Sequence, residues 1–88
     1  MKTDIELQIE NWEEKKSKYE RKDVTLRHRI ATMENDRSRM DTVYAFKPEL
    51  GKFYKRLDSL YKQLYTLSAK INKCNSYLST LRMCQSWS

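Results

Sequence analysis

The second half of the chain repeats apolar residues in alternating steps of four and three, and this spacing constrains the fold more than any other feature. The residues in the pattern are Phe53, Leu57, Leu60, Leu64, Leu67, Ile71, Cys74, Leu78 and Leu81. On an α-helix the spacing places an apolar side chain on the same side at almost every turn, which is typical of a coiled-coil seam. We therefore expect a long helix that packs against another helix.

The first half follows the same spacing with more polar residues: Ile5, Ile9, Trp12, Lys16, Tyr19, Asp23, Leu26, Ile30, Met33, Arg37, Met40 and Tyr44. Pro48 and Gly51, the only proline and the only glycine, lie between the halves. A proline cannot continue a helix interior, and it pushes the preceding residue toward extended backbone. The sequence predicts one domain over residues 1–88, with a helix over about 4–45, a turn over about 46–51 and a second helix over about 52–85.

The two heptad patterns agree across the predicted turn. If the chain reverses near Pro48, the numbers of facing residues should add up to 97, which pairs Tyr44 with Phe53 and Ile30 with Leu67. Each such pair matches an a position with a d position, as an antiparallel coiled coil requires. The predicted fold is all-α: an antiparallel two-helix coiled-coil hairpin, completed to a larger bundle by partner helices.

Partner helices are expected because the seam is uneven. Lys16, Asp23 and Arg37 occupy a positions of the first helix, so the second helix offers more apolar surface than the first can cover. Surplus apolar area on a hairpin favours a third or fourth helix. The predicted protein-interaction residues are Trp12, Tyr61, Leu64, Tyr65, Leu67, Ile71, Leu78 and Trp87.

The aromatic residues in this set leave two interpretations open. In the predicted register Trp12 faces Gln85, which brings Trp87 close to Trp12 at the open end of the hairpin. The two tryptophans could anchor a partner or could hold the helix ends together as a local clasp. The tyrosines could contact a partner or lie along the shoulders of the seam with their hydroxyls in water, and for Tyr61 and Tyr65 we expect the partner contact.

The sequence also predicts two flanks of opposite charge. Residues 1–45 carry ten basic and ten acidic side chains, whereas residues 46–88 carry eight and two. One flank places acids of the first helix opposite polar and aromatic residues of the second: Glu6, Glu13, Glu20, Glu34 and Asp41 opposite Tyr54, Tyr61, Ser68, Asn75 and Arg82. The other is a basic flank that contains Lys15, Lys18, Lys22, Arg29, Lys70 and Lys73. Such a flank is either a solvated face or a contact for an acidic protein or a phosphate backbone.

The residue types argue against catalysis and against a bound cofactor or metal. His28 is the only histidine, and one glycine cannot build a phosphate-binding loop. Cys74 and Cys84 would lie roughly 15 Å apart along one helix, too far for a disulfide, so we expect free thiols in a reducing compartment. No apolar run approaches the roughly 20 residues of a membrane span, and a cytoplasmic or nuclear protein is the default expectation.

Three functions fit these features. The first is a non-enzymatic structural or adaptor subunit that assembles with other helical proteins, in a hetero-complex or a homo-oligomer, as scaffold or tether. The second is a nucleic-acid-binding protein that lays its basic flank along phosphates, although the chain contains no base-reading motif. The third is a small chaperone that covers a client helix and later releases it.

Overall fold

The computed structural model describes residues 1–87 and confirms the helical hairpin. Helix α1 (Asp4–Val43) and helix α2 (Pro48–Trp87) contain 40 residues each and pack along each other in opposite directions. The hairpin measures 64 × 17 × 15 Å. Over the described residues, neither helix carries a stretch long and apolar enough to cross a membrane.

Helix α1 begins with a side-chain cap. Thr3 has extended backbone, and its Oγ1 accepts a hydrogen bond from the backbone N–H of Glu6 at 3.2 Å. Asp4 and Glu6 lie in the first turn, where negative charge is stabilised by the unpaired amides of the helix end. The start of α1 therefore agrees with the predicted boundary.

The turn is shorter than predicted and lies earlier in the chain. Residues 44–47 connect the helices, and the N–H of Lys47 donates to the carbonyl of Tyr44 at 3.0 Å. Helix α2 begins at Pro48 instead of near residue 52, because proline has a helical φ and its missing N–H is not needed in the first turn. Pro48 thus marks the break as expected, but as the first residue of α2. Phe46 has a φ of 63°, and its side chain is fully exposed.

The buried residues all belong to the predicted seam. They are Ile30, Leu57, Leu60, Leu67, Cys74 and Leu78. Ile30, Leu57 and Leu60 form one cluster, against which the half-buried side chains of Leu26, Met33, Phe53 and Leu64 pack. The two helices therefore leave a large part of their apolar seam partly exposed.

The polar seam positions avoid burying an unpaired charge. Lys16 Nζ lies 3.9 Å from Glu20 Oε1, and Asp23 Oδ2 lies 2.9 Å from Arg27 Nε. The third such residue, Arg37, turns outward and is exposed. A buried, unpaired charge would cost several kcal/mol, because the interior of a protein has a low dielectric constant. These side chains therefore stay at the edge of the seam.

Candidate functional site

The acidic side of the hairpin is closed by hydrogen bonds between the two helices. Tyr61 Oη donates to Glu34 Oε1 at 2.9 Å, and Arg82 Nη2 donates to Glu13 Oε1 at 2.7 Å. In a third pair on this side, the Tyr54 hydroxyl donates a hydrogen bond to the carboxylate of Asp41. We call the three acids and their three partners on α2 the closed flank. The sequence places these acids opposite these residues of α2, although the numbers of each pair add up to 95 and not to the predicted 97. In the core the predicted pairing is wrong, because Ile30 clusters with Leu57 and Leu60 and not with Leu67.

The contacts of the closed flank change two ionisation equilibria. The hydrogen bond to Glu34, together with burial and the charge of that carboxylate, raises the pKa of Tyr61 above its ordinary value of 10.0. The pKa of Arg37 is also raised, first through its interaction with Tyr54 and then through Glu34. The guanidinium carbon of Arg37 lies 5.7 Å from the centre of the Tyr54 ring. Tyr61 therefore stays a neutral hydrogen-bond donor, as this flank requires.

The opposite side of the hairpin is basic on both helices, and six of its cations form no ion pair within the described residues. We call this side the open flank. Its residues are Lys15, Lys22, Arg29, Arg56, Lys70 and Lys73. Some of these ammonium groups lie instead near aromatic rings, with Lys15 Nζ 4.5 Å from the Trp12 ring centre. The sequence also assigns Lys18 to this side, but its Nζ lies 3.6 Å from Glu14 Oε1, so its charge is matched.

The unpaired charge of the hairpin is almost entirely positive. Of the 18 Lys and Arg residues, eight form ion pairs in residues 1–87 and ten do not. Of the 12 acids, only Asp4, Glu6 and Glu49 have neither an ion pair nor a side-chain hydrogen bond there, and all three lie in the first turn of a helix. The excess of cations therefore has no counterpart inside the described part of the chain.

Four adjoining depressions, which share lining residues, form a groove along the open flank. The section of largest volume, about 710 Å³, includes Arg29 and Arg56, and a section of about 400 Å³ includes Lys22 and Lys70. A smaller section links these two through Arg29 and Lys22, and another extends the groove to Lys15 and Lys73. No Asp or Glu lines any of the four sections in the described structure. We call this feature the basic groove.

The floor of the basic groove is formed by the seam itself. The apolar lining residues are Leu26, Met33, Phe53, Leu60 and Leu67, with Trp12 and Tyr19 toward the open end of the hairpin. Leu60 and Leu67 are buried, whereas Leu26, Met33 and Phe53 are half-buried. The groove therefore combines an apolar floor with basic walls.

The other predicted interaction residues on the seam and on α2 lie in different environments. Leu78 is buried at 2 % exposure, and Ile71 is half-buried. Tyr65 is 80 % exposed and shares a second groove, of about 760 Å³ on the outer face of α2, with Tyr61 and Leu64. Because the hydroxyl of Tyr61 is bound to Glu34, Tyr65 is the tyrosine of this pair whose side chain remains available.

The two tryptophans differ in their surroundings. The Trp12 ring packs on Tyr77, with ring centres 4.7 Å apart and planes at 31°. Trp87 is 79 % exposed, and within residues 1–87 its ring does not contact Trp12. The sequence does not predict Tyr77 as the partner of Trp12. The available signal for this contact was that Tyr77 lies beside Lys73, on the basic side of α2. Trp12 therefore packs across the two helices, and Trp87 takes no part in this contact.

The described residues contain no group of three or more His, Cys, Asp or Glu side chains that could hold a metal ion. Cys74 and Cys84 are both free thiols, the first buried and the second exposed, as the sequence predicts. No family model matches the chain, no curated protein matches it, and no solved structure matches its fold.

Proposed function

We propose that the chain is a non-enzymatic assembly protein, a small structural or adaptor subunit that joins other helices in a larger complex as scaffold or tether. The observation that supports this most is the incomplete burial of the seam. Only six side chains of residues 1–87 are buried in a hairpin 64 Å long, and half-buried apolar side chains line the basic groove. Coiled-coil packing against a further helix would cover them.

A helix is the element that fits such a surface best. Neighbouring helices in bundles pack about 8 to 10 Å apart, with side chains of one helix inserted between those of the others. The two helices of the hairpin already present a long, straight groove between them, with apolar residues at helical spacing along its floor. Binding of a third helix would bury this floor without any change in the hairpin.

A second function, nucleic-acid binding, is favoured by one specific observation. The ten cations without ion pairs, and the lack of acids along the described groove, resemble an electrostatic footprint for phosphates. We place it second because phosphates are solvated anions that gain nothing from an apolar floor. Duplex binding through these few cations alone should be lost by about 0.2 M salt, because each phosphate contact releases counterions.

The solution mass of the protein, isolated from its own cells at native abundance, tests the proposal. We expect a discrete complex that contains a second, helical polypeptide and that re-forms from the purified components with fixed stoichiometry. A single 10.7 kDa chain without any partner would contradict the proposal. Nucleic acid as the only co-purifying polymer would also contradict it and would support the second function.

A further inference from the structure

We infer that the basic groove seats an acidic amphipathic helix, whose apolar side covers the seam and whose Asp and Glu residues pair with the open flank. This inference rests on the proposed function, because it names the chemistry of the helix that the hairpin would recruit. Four observations support it: the length of the groove, its apolar floor, its positive charge, and the contacts that the acidic side chains of this chain already make.

The length of the groove matches a helix of ordinary size. The groove extends over residues 12–33 of α1 and 53–74 of α2. At 1.5 Å per residue these segments are about 32 Å long. A partner helix of about 21 residues, or three heptads, would fill the groove from end to end.

The composition of the groove defines the partner's sequence pattern. The floor requires apolar residues at positions a and d of the partner, which would contact Leu26, Met33 and Leu60. The walls carry Lys22 and Arg29 on one side and Lys70 on the other, with no ion-pair partner in residues 1–87. Acidic residues at e and g would lie beside these cations, as in coiled coils whose flanking charges select the partner.

A second copy of this chain is a poorer occupant, because its acids are already used. Glu13, Glu34 and Asp41 are bound by α2 of their own hairpin. The acids that have no partner within residues 1–87 are Asp4 and Glu6 at one end of the rod and Glu49 at the other, and they cannot align with a groove about 32 Å long. A second copy would have to break contacts that its own hairpin makes, which favours a different helix as the occupant.

The test uses the full chain and a synthetic peptide of about 21 residues with Leu at a and d and Glu at e and g. Repulsion between the Glu residues keeps this peptide from pairing with itself. Binding is measured by calorimetry at about 0.15 M salt, where exposed charges are screened beyond roughly 8 Å. Three competitors complete the design: a peptide with the same composition but scrambled apolar spacing, a peptide with Lys in place of Glu, and a short duplex RNA.

Two triple variants with the same change in net charge localise the site. The first is K22E/R29E/K70E on the open flank. The control is K47E/K52E/K55E, which reverses three cations near the turn that also form no ion pair in residues 1–87. Circular dichroism checks that both variants keep the helix content of the wild type, and K22Q/R29Q/K70Q replaces the first variant if it does not.

We expect the acidic heptad peptide to bind the wild type and the control variant alike, and to bind the open-flank variant at least about tenfold more weakly. The scrambled and basic peptides should bind weakly or not at all. Equal binding of the scrambled acidic peptide would overturn the inference, because it would show attraction without a seated helix. Equal losses in both variants, or displacement of the peptide by RNA, would overturn it as well.

Experiments on the natural complex distinguish a failure of this inference from a failure of the proposed function. If a helical partner is found and the open-flank variant still binds it as the wild type does, the inference fails and the function stands, with the contact elsewhere on the hairpin. If no helical partner is found, the proposed function itself fails.

Discussion

The two flanks of this hairpin follow the same pair of helices, yet one is closed by contacts within the chain and the other is not. On the closed flank, acids of α1 meet neutral or basic hydrogen-bond donors of α2, as in the pairs Glu34 with Tyr61 and Glu13 with Arg82. On the open flank both helices contribute cations, among them Lys22 and Lys70, which repel each other. The residues beside a seam therefore decide which side of a hairpin remains available to a partner.

The contacts of the closed flank add only modestly to stability. Most residues of the closed flank are at least partly exposed, and exposed ion pairs contribute only about 0 to 1 kcal/mol each. The hairpin is held together chiefly by the seam, which both flanks border.

The largest effect is expected at the centre of the seam. Leu67 is 7 % exposed although it lines the basic groove, so Leu67→Ala should lower the free energy of unfolding by about 2 to 4 kcal/mol through lost burial and the cavity left behind. Urea unfolding followed by circular dichroism measures the change. Leu7→Ala, at a residue 51 % exposed, is the matched control and should change little. A loss below about 0.5 kcal/mol for Leu67→Ala would show that the seam is not closed on the open side.

A smaller effect of opposite sign is expected at the turn, which belongs to neither flank. Phe46 has left-handed backbone with a φ of 63°, and its exposed ring gains little from packing. Phe46→Gly should raise the free energy of unfolding by about 0.5 to 1 kcal/mol, because glycine adopts this backbone without strain. Phe46→Ala, which keeps the strain, should not. Destabilisation by Phe46→Gly would contradict this account of the turn.

The smallest effect is the titration of one contact in the closed flank. The pKa of Tyr61 should lie above 10.0 in the folded chain and fall toward that value in Glu34→Ala, because the hydrogen bond to Glu34 is the first cause of the shift. Since the folded pKa is the higher one, the stabilisation from this contact is complete below the unfolded pKa and is lost as pH rises through the folded pKa. Ring NMR signals of Tyr61 report the titration, and a wild-type pKa at or below 10.0 would be inconsistent with the contact.

The hairpin could be predicted because helical spacing is regular over long distances, but its register could not. A shift by one heptad also matches a with d positions. In the structure Ile30 clusters with Leu57 and Leu60 instead of with the predicted Leu67. The start of α2 was wrong by four residues, because Pro48 is compatible both with a turn and with the first position of a helix.

The candidate site was less predictable than the fold. The sequence places Lys22 and Lys70 on one side, but it does not reveal that the groove between them has an apolar floor, since that depends on which seam residues are only half-buried. The contact of Trp12 with Tyr77 was likewise missed, because the predicted register places Trp12 opposite Gln85, about two helical turns further along α2. A sequence pattern shows which residues share a face of a helix, whereas the side-chain contacts between two helices depend on how the helices pack.

The most direct test of the difference between the flanks is a comparison of two triple alanine variants. One removes the acids of the closed flank, Glu13→Ala, Glu34→Ala and Asp41→Ala, and the other removes Lys22→Ala, Arg29→Ala and Lys70→Ala from the open flank. Thermal unfolding is measured at about 0.5 M salt, so that the opposite changes in net charge are screened. The account predicts a lower unfolding midpoint for the closed-flank variant and an unchanged or higher one for the open-flank variant. Equal losses, or a larger loss on the open flank, would contradict it.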